Sequence, residues 1–162
     1  MQSVVRNLNE TYDAEPGSVA EARSRLADFA AVAGASAEQV EAVRLAASEA
    51  MTNSVLHAYR GEPGLIYVNA AIVSGELWIL ISDDGCGLKP RADRPGLGLG
   101  LGLISQVSDD FAIVSRAAGG TEVRIRFNLV VAPATDGHRS PADEHRYADE
   151  RRRGFSPSMS VA

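Results

Sequence analysis

The amino-acid sequence has 162 residues, which is enough for one domain with its own hydrophobic core. Hydrophobic residues make up 45% and charged residues 23%, the composition of an ordinary globular protein. The 16 Lys and Arg residues against 21 Asp and Glu residues give a net charge of −5, which argues against direct binding of nucleic acid.

The cysteine count and the hydropathy exclude further classes of protein. A single cysteine, Cys86, excludes an internal disulfide framework and a zinc site built from several cysteines. No apolar run approaches the ~20 residues of a membrane span, and the polar start MQSVVRNLNE is unlike a signal peptide. We therefore expect a cytoplasmic protein with no membrane partner.

The chain divides into a folded body, residues 1–131, and a polar tail, residues 132–162. From Pro133 onward the sequence has almost no aliphatic residues, several Pro and Gly breakers, and no sustained period. Such a segment buries too little apolar surface to offset the entropy cost of ordering. We predict that the tail is disordered.

The first part of the body predicts one strand and two helices. A short strand is expected at 3–8, and a helical stretch at 19–32 is ended by Gly34. Ser36 caps a second helix that stops near Tyr59.

The second part of the body predicts two β-hairpins around a loop and a short helix. The predicted elements are strands 64–73 and 76–82, a Gly- and Pro-rich loop 83–97, helix 99–107, and strands 111–116 and 121–131. Because the strands come in sequence-adjacent pairs, we predict an α+β fold: a two-layer sandwich with a mostly antiparallel sheet and the helices on one face.

A carboxylate and an amide lie one helical turn apart in the second helix. Glu49 and Asn53 are four residues apart and therefore share one helix face. An amide oxygen is a suitable ligand for Mg²⁺, and a neighbouring carboxylate can accept a proton from a nucleophile. The alternative is a solvated helix face, although the surrounding residues are small and apolar.

Asp83-Asp84-Gly85-Cys86-Gly87 follows an apolar strand directly. A carboxylate at a strand end can accept a hydrogen bond from the exocyclic amine of adenine, and glycines at 85 and 87 let the backbone approach the flat base. As a bare D-x-G-x-G pattern it is also typical of an ordinary turn.

Alternating glycines run from Gly96 to Gly102 into the third helix. Free backbone N–H groups at a helix start suit phosphate binding, whereas a flexible hinge is the plainer interpretation. A dinucleotide-binding fold is rejected, because it requires G-x-G-x-x-G after the first strand of a parallel βαβ unit. Further on, a Thr121 hydroxyl at the turn into the last strand is placed to bond Asp83 or a bound water; alone, Gly119-Gly120-Thr121-Glu122 is only a hairpin turn.

Four motifs have now been described: the Glu49/Asn53 pair, residues 83–87, the glycines of 96–102, and residues 119–122. In this order they resemble the Bergerat-fold ATPases, the superfamily that contains gyrase, the Hsp90 chaperone, histidine kinases and MutL. The segment SEAMTNSVLHAY, residues 48–59, resembles most closely the bacterial anti-sigma-factor serine/threonine kinases. The resemblance implies that Glu49 is the general base, that Asn53 is the Mg²⁺ ligand, and that Asp83 reads adenine with support from Thr121. It also implies that Gly85 and Gly87 shape the adenine wall.

For the phosphate side, the resemblance implies a lid and helix start formed by Gly98, Gly100 and Gly102. The family often has an arginine close before these glycines. Here Pro95-Gly96-Leu97 occupies that stretch, so either Arg94 or Arg91 is the candidate for the terminal phosphate.

The implied function is a kinase that uses ATP and Mg²⁺, phosphorylates an anti-anti-sigma protein on serine or threonine, and sequesters an RNA polymerase sigma factor. A homodimer through the sheet edge near the first strand is implied as well. The alternative is an ATP-binding regulatory module that holds a partner without phosphoryl transfer. A third hypothesis is a detached histidine-kinase catalytic domain, which would produce acid-labile phosphohistidine.

Overall fold

A computed structural model describes residues 6–87 and 99–129 of the chain. The elements in these ranges are β1 (Asn7–Asp13), α1 (Pro16–Val32), α2 (Ala37–His57), β2 (Leu65–Val73), β3 (Glu76–Asp83), α3 (Leu99–Val107), β4 (Asp110–Ser115) and β5 (Thr121–Asn128). The predicted disordered tail, 132–162, lies outside the described residues. None of the described helices is long and apolar enough to cross a membrane.

Local chemistry at the helix ends places α1 and α2 where the sequence predicts them. Pro16 occupies the first turn of α1, and Gly34, with φ of +95°, follows its end. Ser36 and Gln39 form a reciprocal capping box at the start of α2, with Gln39 N–H to Ser36 Oγ at 3.2 Å and Ser36 N–H to Gln39 Oε1 at 3.1 Å.

The five described strands form one sheet in the order β1-β2-β3-β5-β4, and every pairing is antiparallel. The β2–β3 turn has positive φ at Ser74 (52°) and Gly75 (83°), which matches the right-handed twist of a two-residue hairpin. The predicted antiparallel α+β fold is therefore confirmed.

The first strand lies further along the chain than predicted. The sequence favoured 3–8, whereas β1 spans Asn7–Asp13 and occupies the sheet edge beside β2. Along this strand Tyr12 alone is buried, so the apolar alternation that marks a strand is missing. Glu10 points toward the core side of the sheet, and its carboxylate is paired there with Arg25 of α1, whose Nη2 donates to Oε1 at 2.6 Å.

The hydrophobic core lies between the three helices and one face of the sheet, as the predicted two-layer arrangement requires. Its fully buried side chains are Leu26, Val43, Met51, Ile66, Val68, Leu77, Ile79, Ile81, Ile104, Ile125 and Phe127. The opposite surface, called here the open face, carries the alternate residues of the same strands. It includes Tyr67, Asn69, Trp78, Ser82, Glu122, Arg124 and Arg126.

Candidate functional site

The carboxylate and the amide predicted on the second helix share one face of α2. Glu49 and Asn53 are one turn apart and both are half-buried. By comparison, Glu38 and Glu41 near the start of the same helix are exposed. The structure therefore places Glu49 and Asn53 at the margin of the protein interior, which does not fit a fully solvated face.

The carboxylate of Asp83 is held at the end of β3 by three hydrogen bonds. Oδ1 accepts from the N–H groups of Gly85 (3.1 Å) and Thr121 (3.2 Å), and Oδ2 accepts from the Ser54 hydroxyl (3.0 Å). Asp83 is 4% exposed, so these donors replace the water that its carboxylate loses on burial. An ionised carboxylate has about four acceptor positions. Counting the described donors, one position on Oδ2 is left for an amino group of a ligand.

Thr121 contacts Asp83 through its main chain and not through the hydroxyl that the sequence suggested. The donor is the Thr121 N–H, one residue before Glu122, which is the first residue of β5 that pairs with β3. Strand register delivers this N–H to the carboxylate. The described contact between Thr121 and Asp83 is thus made by this N–H. A bond from the Thr121 hydroxyl to a bound water, the other half of the expectation, stays a prediction.

Ser54 joins this site without any local sequence signal for the role. It follows Asn53 on α2, is 4% exposed, and donates to Asp83 across the junction between α2 and β3. In the sequence Ser54 only continues the row of residues on the buried face of α2. The sequence does not indicate which strand end that face contacts. The contact brings the helix turn that carries Asn53 next to Asp83.

The loop after β3 is packed between the end of α2 and the β4–β5 turn. A Cβ at Gly85 would overlap the carbonyl of Ala58, and a Cβ at Gly120 would overlap the carbonyl of Asp83. Gly87 has φ of +73°, a conformation that favours glycine. The close approach that requires glycine at 85 is therefore contact with Ala58, which caps the end of α2, whereas the sequence suggested approach to a bound base.

α3 begins inside the glycine-rich segment. Gly100 and Gly102 lie in its first turn, and a Cβ at Gly102 would meet no atom within 4 Å. Leu101 and Ile104 are buried and hold the helix against the core. The N–H groups of the first turn have no partner within the helix and suit an anion. The predicted phosphate-side residues outside the described ranges are Gly98, Arg91 and Arg94.

On the open face, Asp84 belongs to a polar network that the sequence did not indicate. Tyr67 donates its hydroxyl hydrogen to Asp84 Oδ2 at 2.8 Å, and this hydrogen bond raises the pKa of Tyr67. The Asp84 N–H donates to the Tyr59 hydroxyl at 2.9 Å, and Arg116 pairs with Asp84 Oδ1. The loop is thus held on both faces of the sheet.

Comparison with known proteins assigns this arrangement to a family. The chain belongs to the Histidine kinase-like ATPase domain family, whose match covers residues 12–127. This range contains the described site, from Glu49 on α2 to Thr121 on β5. The resemblance drawn from the sequence motifs is confirmed, and membership of an ATPase family implies ATP binding.

Curated relatives of the chain are named anti-sigma F factors. The protein from Clostridium botulinum (strain Alaska E43 / Type E3) is 31% identical over 144 residues, which cover 80% of this chain and 94% of the relative. The protein from Halalkalibacterium halodurans is 26% identical over 141 residues, which cover 78% of this chain and 95% of the relative. These relatives are thus matched over nearly their full length.

A solved structure gives the same assignment of the fold. The RsbU and RsbW domains of Rv1364c from Mycobacterium tuberculosis superpose with a TM-score of 0.61 at 25% identity. The alignment covers 76% of this chain and 32% of that chain. The similarity therefore concerns one part of a longer protein.

Proposed function

We propose that the chain is an ATP-dependent protein serine/threonine kinase that acts as an anti-sigma factor. The observation that carries the proposal is the buried Asp83 carboxylate, oriented by Ser54 and by two backbone N–H groups beside the helix of Asn53 and Glu49. A base-reading group requires a fixed direction before the ligand arrives, and these three donors supply it. Relatives named anti-sigma F factor support the regulatory role.

The site fits an adenine nucleotide by the chemistry of its donors and acceptors. The remaining acceptor position on Asp83 Oδ2 suits the exocyclic amine of adenine. The first turn of α3, with Gly100 and Gly102, suits the phosphates through the N–H groups that have no partner within the helix. Gly98 and one of Arg91 and Arg94 complete the lid in this proposal.

For the metal, Asn53 would supply an amide oxygen, a ligand type that Mg²⁺ accepts beside phosphate oxygens and water. When bound, Mg²⁺ supplies neutralisation of phosphate charge. Glu49, one turn away, would accept the proton of the attacking serine or threonine hydroxyl. The hydroxyl oxygen bonds to the γ-phosphorus, the bond from that phosphorus to the β–γ bridging oxygen breaks, and ADP leaves with the bond's electron pair.

The partners follow from the family and not from a contact in the structure. The phosphoacceptor in this proposal is a small anti-anti-sigma protein, and the sequestered partner is an RNA polymerase sigma factor. Binding of one partner excludes the other, so phosphorylation of the first biases the exchange. We also propose a homodimer through the β1 edge of the sheet, and a domain limited to residues 1–131 followed by a tail without a fold of its own.

The decisive experiment measures transfer from [γ-³²P]ATP to an anti-anti-sigma protein. We expect acid-stable label on the partner from the wild type and from Glu41→Gln, a control on the exposed start of the same helix. Glu49→Gln should lose at least about a hundredfold in rate, as expected for removal of a general base, while it still binds ATP. Label of equal intensity from Glu49→Gln would exclude the catalytic role of Glu49.

The same assay separates the rival functions. ATP binding with no transfer to any anti-anti-sigma protein would favour a regulatory module that only holds a partner. Acid-labile label would indicate phosphohistidine and a histidine-kinase catalytic domain acting in trans.

A further inference from the structure

Arg116 holds the loop that carries Asp83 from the open face of the sheet. Its Nη1 donates to the carbonyl oxygen of Asp83 at 3.0 Å and to Oδ1 of Asp84. Its backbone N–H donates to the Gly120 carbonyl at 3.2 Å, which closes the β4–β5 turn. The same residue thus contacts the main chain of Asp83 and begins the turn that delivers the N–H of Thr121 to the Asp83 carboxylate.

The guanidinium of Arg116 is itself fixed in place. Its central carbon lies 5.9 Å from the centroid of the Tyr67 ring, and the Tyr67 hydroxyl donates to the second oxygen of Asp84. Arg116, Asp84 and Tyr67 therefore form a closed set of contacts on one side of the loop. The planar guanidinium donates from Nη1 to two acceptors while its face lies over the Tyr67 ring, an arrangement that the compact ammonium of lysine does not reproduce.

The exposure of this ion pair indicates what it contributes. The side chains of Arg116 and Asp84 are 32% and 49% exposed, and ion pairs in such positions add little to global stability. Arg116 holds the carbonyl of Asp83 and the side chain of Asp84 at once. The plane of the peptide between these two residues is therefore restrained from rotating about the adjoining backbone bonds. The direction in which the Asp83 side chain leaves the backbone is thereby restrained.

We infer that Arg116 is a positioning residue for adenine recognition, acting through the main chain of Asp83. The inference rests on the proposed function, in which Asp83 Oδ2 reads the exocyclic amine. Loss of Arg116 then lowers discrimination between a purine with a 6-amino group and one with a 6-oxo group. Binding of the phosphates, on the α3 side, changes far less.

Arg126 offers a matched control on the same open face. It pairs with Glu76 at 2.7 Å, and its guanidinium carbon lies 5.8 Å from the centroid of the Trp78 ring. Its described hydrogen bonds go to Glu76 and Asn128, away from the 83–87 loop. Arg126→Ala thus removes the same kinds of interaction without touching Asp83.

The test compares dissociation constants for ATP and for inosine triphosphate, measured by calorimetry on the full chain. We expect the wild type to prefer ATP, and Arg116→Ala to reduce that preference about fivefold to tenfold, the equivalent of one weakened hydrogen bond. Arg126→Ala should change it by less than about twofold, as for a surface ion pair. Arg116→Lys, which keeps the charge beside Asp84, should restore part of the preference.

Equal preferences in Arg116→Ala and Arg126→Ala would overturn the positioning role while leaving the role of Asp83 intact. A wild type without preference for ATP would instead overturn the proposed adenine site itself. If Arg116→Ala does not fold, Arg116→Lys decides. The preference of Arg116→Lys for ATP over inosine triphosphate must then be smaller than that of Arg126→Ala. Equal preferences in these two variants overturn the inference.

Discussion

The hydroxyl of Ser54 and the carboxylate of Asp83 meet 3.0 Å apart across the junction between α2 and β3. Both residues are 4% exposed, so water does not compete for this hydrogen bond. Through it, the helix that carries Glu49 and Asn53 is tied to the strand end that carries the base-reading candidate. This buried contact thus adds a polar link, beside the apolar packing of α2, to the relative placement of the three proposed functional side chains.

Replacing Ser54 by alanine tests this dependence. The change leaves Asp83 Oδ2 without its described donor, so we expect a loss of about 1–3 kcal/mol in the free energy of unfolding. Affinity for ATP should fall severalfold, because the carboxylate is less fixed. Urea denaturation and calorimetry measure the two effects.

Ser48→Ala is the control for Ser54→Ala, since Ser48 lies on the same helix and donates to the Arg44 carbonyl at 2.8 Å. We expect Ser48→Ala to change both quantities little. Matching losses in the two variants would show that the contact between Ser54 and Asp83 has no special role.

Gly120 provides a second test, of the close packing of the loop after β3. A Cβ at this position would overlap the Asp83 carbonyl, and φ is +87°. Gly75 has a similar φ of +83° but no atom within 4 Å of an added Cβ. Gly75→Ala should cost about 1–2 kcal/mol for the backbone conformation alone, and Gly120→Ala about 1–3 kcal/mol more for overlap. Denaturation midpoints measure the difference, and equal costs would mean that the turn shifts to accommodate the methyl group.

The features that the sequence predicted well are set by residues close together in the chain. The cap at Ser36 and the hairpin between the strands 64–73 and 76–82 are set by local chemistry, so their positions follow from short motifs. The family motif placed Asp83 at a strand end, because an apolar strand followed by Asp and Gly is also a local pattern.

The contacts that the sequence did not predict join distant residues. Ser54 and Asp83 are 29 positions apart, and Arg116 reaches Asp83 over 33 positions. Neither pair leaves a pattern in the chain, because the sheet order alone decides which turn meets which strand end. β1 is an edge strand with a single buried residue, so the alternation of apolar and polar residues along it is too weak to predict its position.

A third prediction concerns the metal-binding role of Asn53. Asn53→Ala removes the proposed amide ligand, so the gain in ATP affinity on adding Mg²⁺ to an EDTA-treated sample should disappear, while the fold remains intact. Calorimetric titrations with and without Mg²⁺ measure this gain. Asn69→Ala, on the open face, should retain it. An unchanged Mg²⁺ effect in Asn53→Ala would remove Asn53 from the site.

A fourth prediction concerns the ion pair that holds the edge strand β1 to α1. Hydrogen bonds from Arg25 Nε (2.9 Å) and Nη2 (2.6 Å) to Glu10 Oε1 lower the pKa of Glu10 below its usual 4.5, and burial opposes them only partly. A lowered pKa in the folded state means that the ionised form contributes stability above pH 4.5, and that this contribution is lost as the pH falls through the folded-state pKa.

Glu10→Gln should therefore destabilise the protein near neutral pH and have little effect in acid, where the wild-type side chain is itself neutral. Because the Arg25 side chain is 57% exposed, solvent screening limits the loss to a few tenths to about 1 kcal/mol. Denaturation between pH 3 and 7 measures the difference between variant and wild type. Glu41→Gln, which breaks the exposed pair with Arg44 within α2, is the control and should show a smaller difference. A Glu10→Gln effect that stays constant across this pH range would show that the lost stability is packing and not charge.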